Sequence, residues 1–217
     1  MARIKIKRPS DSTIHRLSVY YRVLQSVEKE GYHTVSSKEL AKREKLTPAQ
    51  VRKDLSFFGS FGTRGLGYPV RELREKIAKI LGLDRTWSVA LIGVGNIGSA
   101  LASYKEFQRQ GFHIKLVLDN DQRKIGSNHK GLEVRDVKDL EKEIKANKID
   151  MVILTVPANA AQGIVDEVQK AGVRAILNFA PVNLKTNDDV HLRPENMAME
   201  LEYLSFCLTN KTTPSSS

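Results

Sequence analysis

The 217-residue chain has one cysteine, Cys207. A single thiol excludes an intramolecular disulfide framework and any cysteine-based zinc site. No hydrophobic run approaches eighteen residues, so no membrane span is expected. The first residues, Met1–Pro9, are basic but lack the apolar core of a signal peptide, which points to the cytoplasm. Five histidines, His15, His33, His113, His129 and His191, form no paired or ligand-spaced set. Neither a metal site nor a catalytic constellation is therefore expected.

Acidic residues are also in deficit, 25 against 35 Lys and Arg, for a net charge of +10. The deficit is local. Residues 1–84 hold 18 Lys and Arg against 9 Asp and Glu, whereas residues 85–217 hold 17 against 16. A basic first segment joined to a near-neutral second one suggests a polyanion partner for the first. A merely solvated basic domain would have the same charge, so charge alone does not decide.

The stretch Ser88–Asp119 is the most informative. A short β-branched run, Ser88–Ile92, leads directly into Gly93-Val94-Gly95-Asn96-Ile97-Gly98. This is the G-x-G-x-x-G spacing of a dinucleotide-binding turn. Gly93 permits the tight turn, Gly95 lets backbone approach a pyrophosphate, and Gly98 lets the following helix lie close on the sheet. A second strand, Ile114–Leu118, ends at Asp119, 21 residues beyond Gly98. A carboxylate there can accept hydrogen bonds from ribose hydroxyls and repels a 2′-phosphate, which favours NAD(H) over its phosphorylated relative.

Upstream, Thr13–Glu30 has Leu17, Tyr20, Tyr21, Leu24 and Val27 at helical spacing, and Gly31 stops the helix. Ser36 with Glu39 spells a capping box, opening a helix to about Lys45. Thr47 with Pro48 and Gln50 repeats the device, opening a helix to about Phe58. Two short helices across so tight a turn predict a helix-turn-helix. The second helix sets Val51, Leu55 and Phe58 on one face. Thr47, Ala49, Gln50, Arg52 and Lys53 stand near its start, where a recognition helix meets base edges. Arg52 and Lys53 could each reach guanine or phosphate. The glycine-rich run Gly59–Tyr68 reads as a β-hairpin wing with Arg64 at its tip. Val70–Leu81 is a closing helix and Gly82–Trp87 a linker. Arg3, Lys5, Lys7 and Arg8 form either an arm onto phosphates or an ordinary disordered terminus.

Beyond Asp119, helices are expected at Val137–Ala146 and Ala158–Ala171, with strands at Ile149–Val156 and Val173–Leu177. The sheet is then complete by about residue 180. Thr155-Val156-Pro157 and Asn178-Phe179-Ala180-Pro181 lie at strand ends, where they either contact a dinucleotide or turn the chain; for the prolines the turn role is favoured. The remaining apolar segment, Pro194–Leu208, forms either a dimer contact or a last helix on its own sheet. The expected fold class is thus α/β. A winged helix-turn-helix domain (1–84) precedes a Rossmann-type parallel-sheet domain (85–192), a C-terminal dimerisation helix (193–209) and a disordered tail (210–217).

A dehydrogenase needs a substrate domain with an acid or base beside the nicotinamide, and no segment is left to build one. An NAD-dependent enzyme or a CoA-binding protein with a basic appendage are the alternatives, as is an interaction module that has lost its ligand. The stretches VRKDLSFFGSFGTRGLGYPV, GVGNIGSAL, LTVP, ILNFAPV and ELEYLSFCL together resemble the Rex family of redox-sensing transcriptional repressors, over about residues 13–208. The resemblance implies a homodimer with winged-helix heads, NAD(H)-binding bodies and C-terminal helices exchanged between subunits. It implies double-stranded operator DNA as partner, bound when NADH is scarce and released by NADH. It also implies a switch built from Arg22 of the first helix, Tyr104 of the glycine-motif helix and the position of Asn196 in the exchanged helix, with Met197 facing the nicotinamide. Asn196 departs from the family's aspartate, and an amide cannot make the ion pair with Arg22 that a carboxylate could.

Overall fold

A computed structural model describes residues 9–62 and 65–210, and the chain divides between Asp84 and Arg85 into two compact units. Arg64, the basic residues 3–8 and the tail beyond Asn210 lie outside the described residues.

Among the described residues, the first unit is built from four helices around one apolar core. Helix α1 (Asp11–Lys29) starts where the Ser10 hydroxyl accepts from Thr13 N–H, and it buries Leu17, Tyr20, Val23, Leu24 and Val27. Tyr21, expected on the same face, only flanks the core. Strand β1 (Thr34–Val35) leads to α2 (Ser37–Arg43), whose capping box closes in both directions between Ser36 and Glu39. In α3 (Pro48–Phe57) the expected second box is only half formed. The Thr47 hydroxyl accepts from Gln50 N–H, but the Gln50 side chain turns away, to Asp54. Strand β2 (Tyr68–Pro69) and α4 (Val70–Leu81) complete the unit.

The expected self-closed hairpin over Gly59–Tyr68 is not found among the described residues. Strand β2 pairs antiparallel with β1, Val35 opposite Tyr68, so the wing strand belongs to a sheet that begins before α2. The glycines serve close approach instead. A Cβ at Gly62 would lie 2.3 Å from the Gly67 carbonyl, and one at Gly67 would lie 2.8 Å from the Val35 carbonyl.

The second unit is a seven-stranded sheet with helices. Its elements are β3 (Trp87–Ile92), α5 (Asn96–Ala102), α6 (Lys105–Arg109), β4 (Phe112–Asp119), β5 (Asn128–His129), β6 (Leu132–Asp136), α7 (Leu140–Ala146), β7 (Met151–Leu154), α8 (Ala158–Lys170), β8 (Ala175–Asn178), β9 (His191–Pro194) and α9 (Met197–Thr209). Strand order is β5-β6-β4-β3-β7-β8-β9, and every pair is parallel except β5 with β6. The central five strands are doubly wound, and the order reverses between β3 and β7. Ligands of such sheets bind at that switch point, beyond the carboxyl ends of the strands.

Three expectations need correction. The glycine-turn helix is broken at Ser103–Tyr104, so Tyr104 stands at the N-cap position of α6, without a side-chain cap, and does not lie within the helix that follows the glycines. Strands β5 and β6 precede α7, and a separate 3₁₀ turn over Val137–Asp139 leads into it. The sheet does not end near residue 180, because β9 adds an edge strand beside β8. With two of its four residues charged or proline and only Leu192 half-buried, β9 has no alternation to betray it.

Candidate functional site

The turn after β3 is determined by steric crowding. Gly93 has φ +97°, and a Cβ there would lie 2.7 Å from the Thr155 carbonyl. A Cβ at Gly98 would lie 2.0 Å from the Gly93 carbonyl. The Thr155 hydroxyl, at the end of β7, donates to that same Gly93 carbonyl at 2.7 Å. Gly95 differs: it has φ −81° at the N-cap of α5, and a Cβ there would meet nothing within 4 Å. Two glycines are therefore needed by the protein's own packing, and the third faces open space.

Asp119 secures the other side. It is 6% exposed, and its Oδ2 accepts from Val94 N–H at 2.7 Å and Lys124 Nζ at 3.2 Å. Its Oδ1 accepts from Asp121 N–H at 2.9 Å, which leaves a lone pair on that oxygen. Burial pushes the Asp119 carboxyl up, but the N–H groups of Asp121 and Val94 and the Lys124 ammonium outweigh it and hold it below the ordinary carboxylate range. An ionised acceptor thus sits at the end of β4 at neutral pH.

Together these elements wall a cleft of about 560 Å³, within the size range of small-molecule sites. Of the sequence-predicted residues, Gly93, Gly95, Ile97, Asp119, Thr155, Val156, Pro157 and Phe179 line it. Val94, Asn96 and Gly98 belong to the turn but not to the walls. Asn178 is buried and spends its amide on Ala180, accepting from its N–H at 2.8 Å and donating to its carbonyl at 3.1 Å, so it shapes the turn. Met197 stands exposed on α9 and does not line the cleft. Sequence reasoning missed Ile92, Asn120, Asp121, Lys124, Val137, Ala160 and Ile164, and it gave Pro181 a turn role although Pro181 lines the cleft. Lys124, five residues past Asp119, was the legible one.

The first unit presents a different surface. Thr47, Ala49, Arg52 and Lys53 are exposed along α3, while Val51, Asp54 and Leu55 are buried beneath and Phe58 flanks the core. Arg52 Nη1 donates to the Ser37 hydroxyl at 3.2 Å, which aims the guanidinium across the helix-turn-helix. Arg22 is exposed on α1, Tyr104 is 55% exposed with its ring edge-on to Phe107, and Asn196 caps α9 by accepting from Ala198 N–H at 3.0 Å. None of the thirteen residues of α9 is buried, and Met197, Met199, Leu201, Tyr203, Leu204, Phe206 and Leu208 are all more than half exposed.

The family described as "Putative DNA-binding protein N-terminus" matches residues 9–56, and that described as "CoA binding domain" matches residues 84–182. A redox-sensing transcriptional repressor Rex from Desulfitobacterium hafniense is 49% identical over 203 residues, covering 94% of this chain and 97% of that protein. Its counterpart from Desulforamulus reducens is 45% identical over 208 residues, covering 96% and 99%. Among solved structures, RSP in complex with β-NAD⁺ and operator DNA has a TM-score of 0.91 at 40% identity, covering 94% of each chain. RSP in complex with β-NADH has a TM-score of 0.85 at 38% identity, covering 94% of this chain and 95% of that one.

Proposed function

The chain belongs to the Rex family of redox-sensing transcriptional repressors, and from that membership we propose how its residues perform the sensing. It is a DNA-binding repressor that occupies an inverted-repeat operator when NADH is low and leaves it when NADH rises. The observation that carries the reading is the joint presence of an open glycine-turn cleft in one unit and an exposed basic α3 in the other. It regulates and does not catalyse. That reading rests on the relatives, which are transcriptional repressors along their whole length. Its place of action is the cytoplasm, with its DNA.

The space above Gly95 takes the pyrophosphate, met by backbone N–H groups of the turn and the first turn of α5. The free lone pair of Asp119 Oδ1 accepts a ribose hydroxyl. Ile97, Val156, Pro157 and Phe179 supply apolar contact, with Val94, Asn96, Gly98, Thr155 and Asn178 shaping the turns that hold them. Reduced nicotinamide is neutral and the oxidised form cationic, so an apolar lining penalises the oxidised form. The whole-chain relatives, and not the shorter CoA-domain match, decide for NAD(H).

Thr47 at the N-cap of α3 and Ala49, Gln50, Arg52 and Lys53 on it face the major groove, and Arg64 is assigned to the DNA backbone or the minor groove. The apolar surface of α9 is covered by a second copy of the chain, which includes Met197 in the partner's nucleotide site. A two-fold pair of heads then addresses half-sites about 34–36 Å apart, or a multiple of that. The switch runs through Arg22, Tyr104 and Asn196. Asn196 keeps the helix-capping role that an aspartate would have but loses the ionic one.

The decisive experiment titrates operator binding across NADH:NAD⁺ ratios, with a duplex enriched from a random library. Affinity should fall as NADH rises, and operator should weaken NADH binding by the same factor. Equal affinity at saturating NADH and at saturating NAD⁺ would refute the sensing. In the same assay Arg52→Ala should cost about 1–3 kcal/mol of operator affinity, as expected for one bidentate base contact.

A further inference from the structure

We infer that Gln50 reads an adenine in each operator half-site, its amide fixed in the reading orientation by the buried carboxylate of Asp54. The inference rests on α3 being the DNA-reading helix. Gln50 is the third residue of α3, in the turn that meets base edges, and Asp54 follows one turn later. Gln50 Nε2 donates to Asp54 Oδ1 at 2.7 Å. Asp54 is 3% exposed and is itself clamped by α1: Arg16 Nε donates at 2.6 Å, Arg16 Nη2 at 2.8 Å and the Tyr20 hydroxyl at 2.8 Å.

The chemistry of the clamp determines what Gln50 can recognise. An ionised carboxylate only accepts, so the amide must turn its NH₂ toward Asp54; the flipped amide would set two acceptors against each other. One N–H is thereby consumed. With the N–H anti to the carbonyl taken by Asp54, the other N–H and the carbonyl Oε1 remain side by side on the free edge of the amide. Adenine presents the matching pair in the major groove, the N7 acceptor beside the N6 amino donor. Guanine presents two acceptors, O6 and N7, and would oppose Oε1 with one of them. Thymine and cytosine each offer one complementary group only. Asp54 is anchored through residues 34 and 38 positions upstream, so the domain core and not the flexible glutamine sets the angle. The side chain is ordered before DNA arrives, and binding loses less entropy. Arg16 also balances the Asp54 charge, which otherwise would repel phosphates approaching α3.

The test uses the full chain and a random duplex library, with the enriched operator then resynthesised carrying each base in turn. Wild type should lose about tenfold or more when adenine is replaced at one position per half-site. Gln50→Ala should bind all four bases there about equally while keeping its preferences elsewhere. Gln50→Glu, which offers only acceptors, should shift that position toward cytosine. Asp54→Asn, with folding checked by its melting curve, should broaden the same position and no other. A purely structural role predicts uniform weakening across all positions. An unchanged adenine preference in Gln50→Ala or Gln50→Glu overturns the inference, as does a different wild-type base at the position these variants affect. Failure of the wild type to enrich any duplex would instead overturn the assignment of α3 to DNA.

Discussion

Gly95→Val should yield a folded protein that binds operator as tightly as wild type without nucleotide and no longer releases it when NADH is added. The backbone at Gly95 has φ −81°, which valine adopts without strain, and no atom stands within 4 Å of the new Cβ. Folding therefore has little reason to fail. The valine methyls enter the space assigned to the pyrophosphate, where backbone must come close to the ligand. Overpacking of this kind costs about 3 kcal/mol, which lowers NADH affinity roughly a hundredfold. Calorimetry with NADH and a mobility shift with and without NADH check both halves. Retained release by NADH at wild-type concentrations would remove the pyrophosphate from this turn. Gly98→Ala is the informative contrast, because its methyl would lie 2.0 Å from the Gly93 carbonyl and must displace the turn itself. That variant is expected to melt earlier, whether or not nucleotide is present.

The contrast also explains why some of this molecule was legible in its residues and some was not. Gly93, Gly98 and Asp119 could be placed from spacing alone, because a turn between β3 and α5 admits few residue types at those positions. The caps at Ser36 and Thr47 were legible for the same local reason: each closes on a backbone N–H three residues on. Features that depend on a distant partner were hidden. Strand β2 reads as half of a hairpin with its neighbours, yet its partner is Val35, more than thirty residues upstream. Strand β9 is recruited by β8 through backbone hydrogen bonds, which leave no pattern in its side chains. Asp54 looks like one more solvated charge on a basic helix. Only its place between Val51 and Leu55, on the buried face, hints otherwise, and its partners on α1 could not be inferred from α3. In the cleft, Ile164 and Ala160 come from the face of α8 that lines it, which periodicity assigns to the core without distinguishing core from ligand.

Asp54→Ala should destabilise the first unit by about 2–3 kcal/mol at neutral pH, the second large effect expected here. Removing one partner of a buried, hydrogen-bonded pair usually costs more than that, but Arg16 retains 22% side-chain exposure and can turn to water once Asp54 is gone. The loss should depend on acidity. Burial pushes the Asp54 carboxyl up, but hydrogen bonds from Arg16, Tyr20 and Gln50 outweigh it and hold its pKa below the ordinary 3.8. A depressed folded-state pKa means that Asp54 contributes its full stability above 3.8 and loses it as pH falls through the lower, folded value. Wild type and Asp54→Ala should therefore differ most near neutrality and converge under strong acid. Melting curves of the full chain at a series of pH values measure the gap, and amide exchange along α1 and α3 locates it in the first unit. Equal stability at neutral pH, or a gap that widens on acidification, would show that Asp54 is not held as an ion. Tyr20 makes the sign of the effect specific. Burial and the Asp54 carboxylate raise its pKa, so its hydroxyl stays protonated and remains a donor throughout this range. The acid-sensitive member of the clamp is thus Asp54, the same group that orients Gln50, and below its folded-state pKa the protein should lose operator discrimination together with stability.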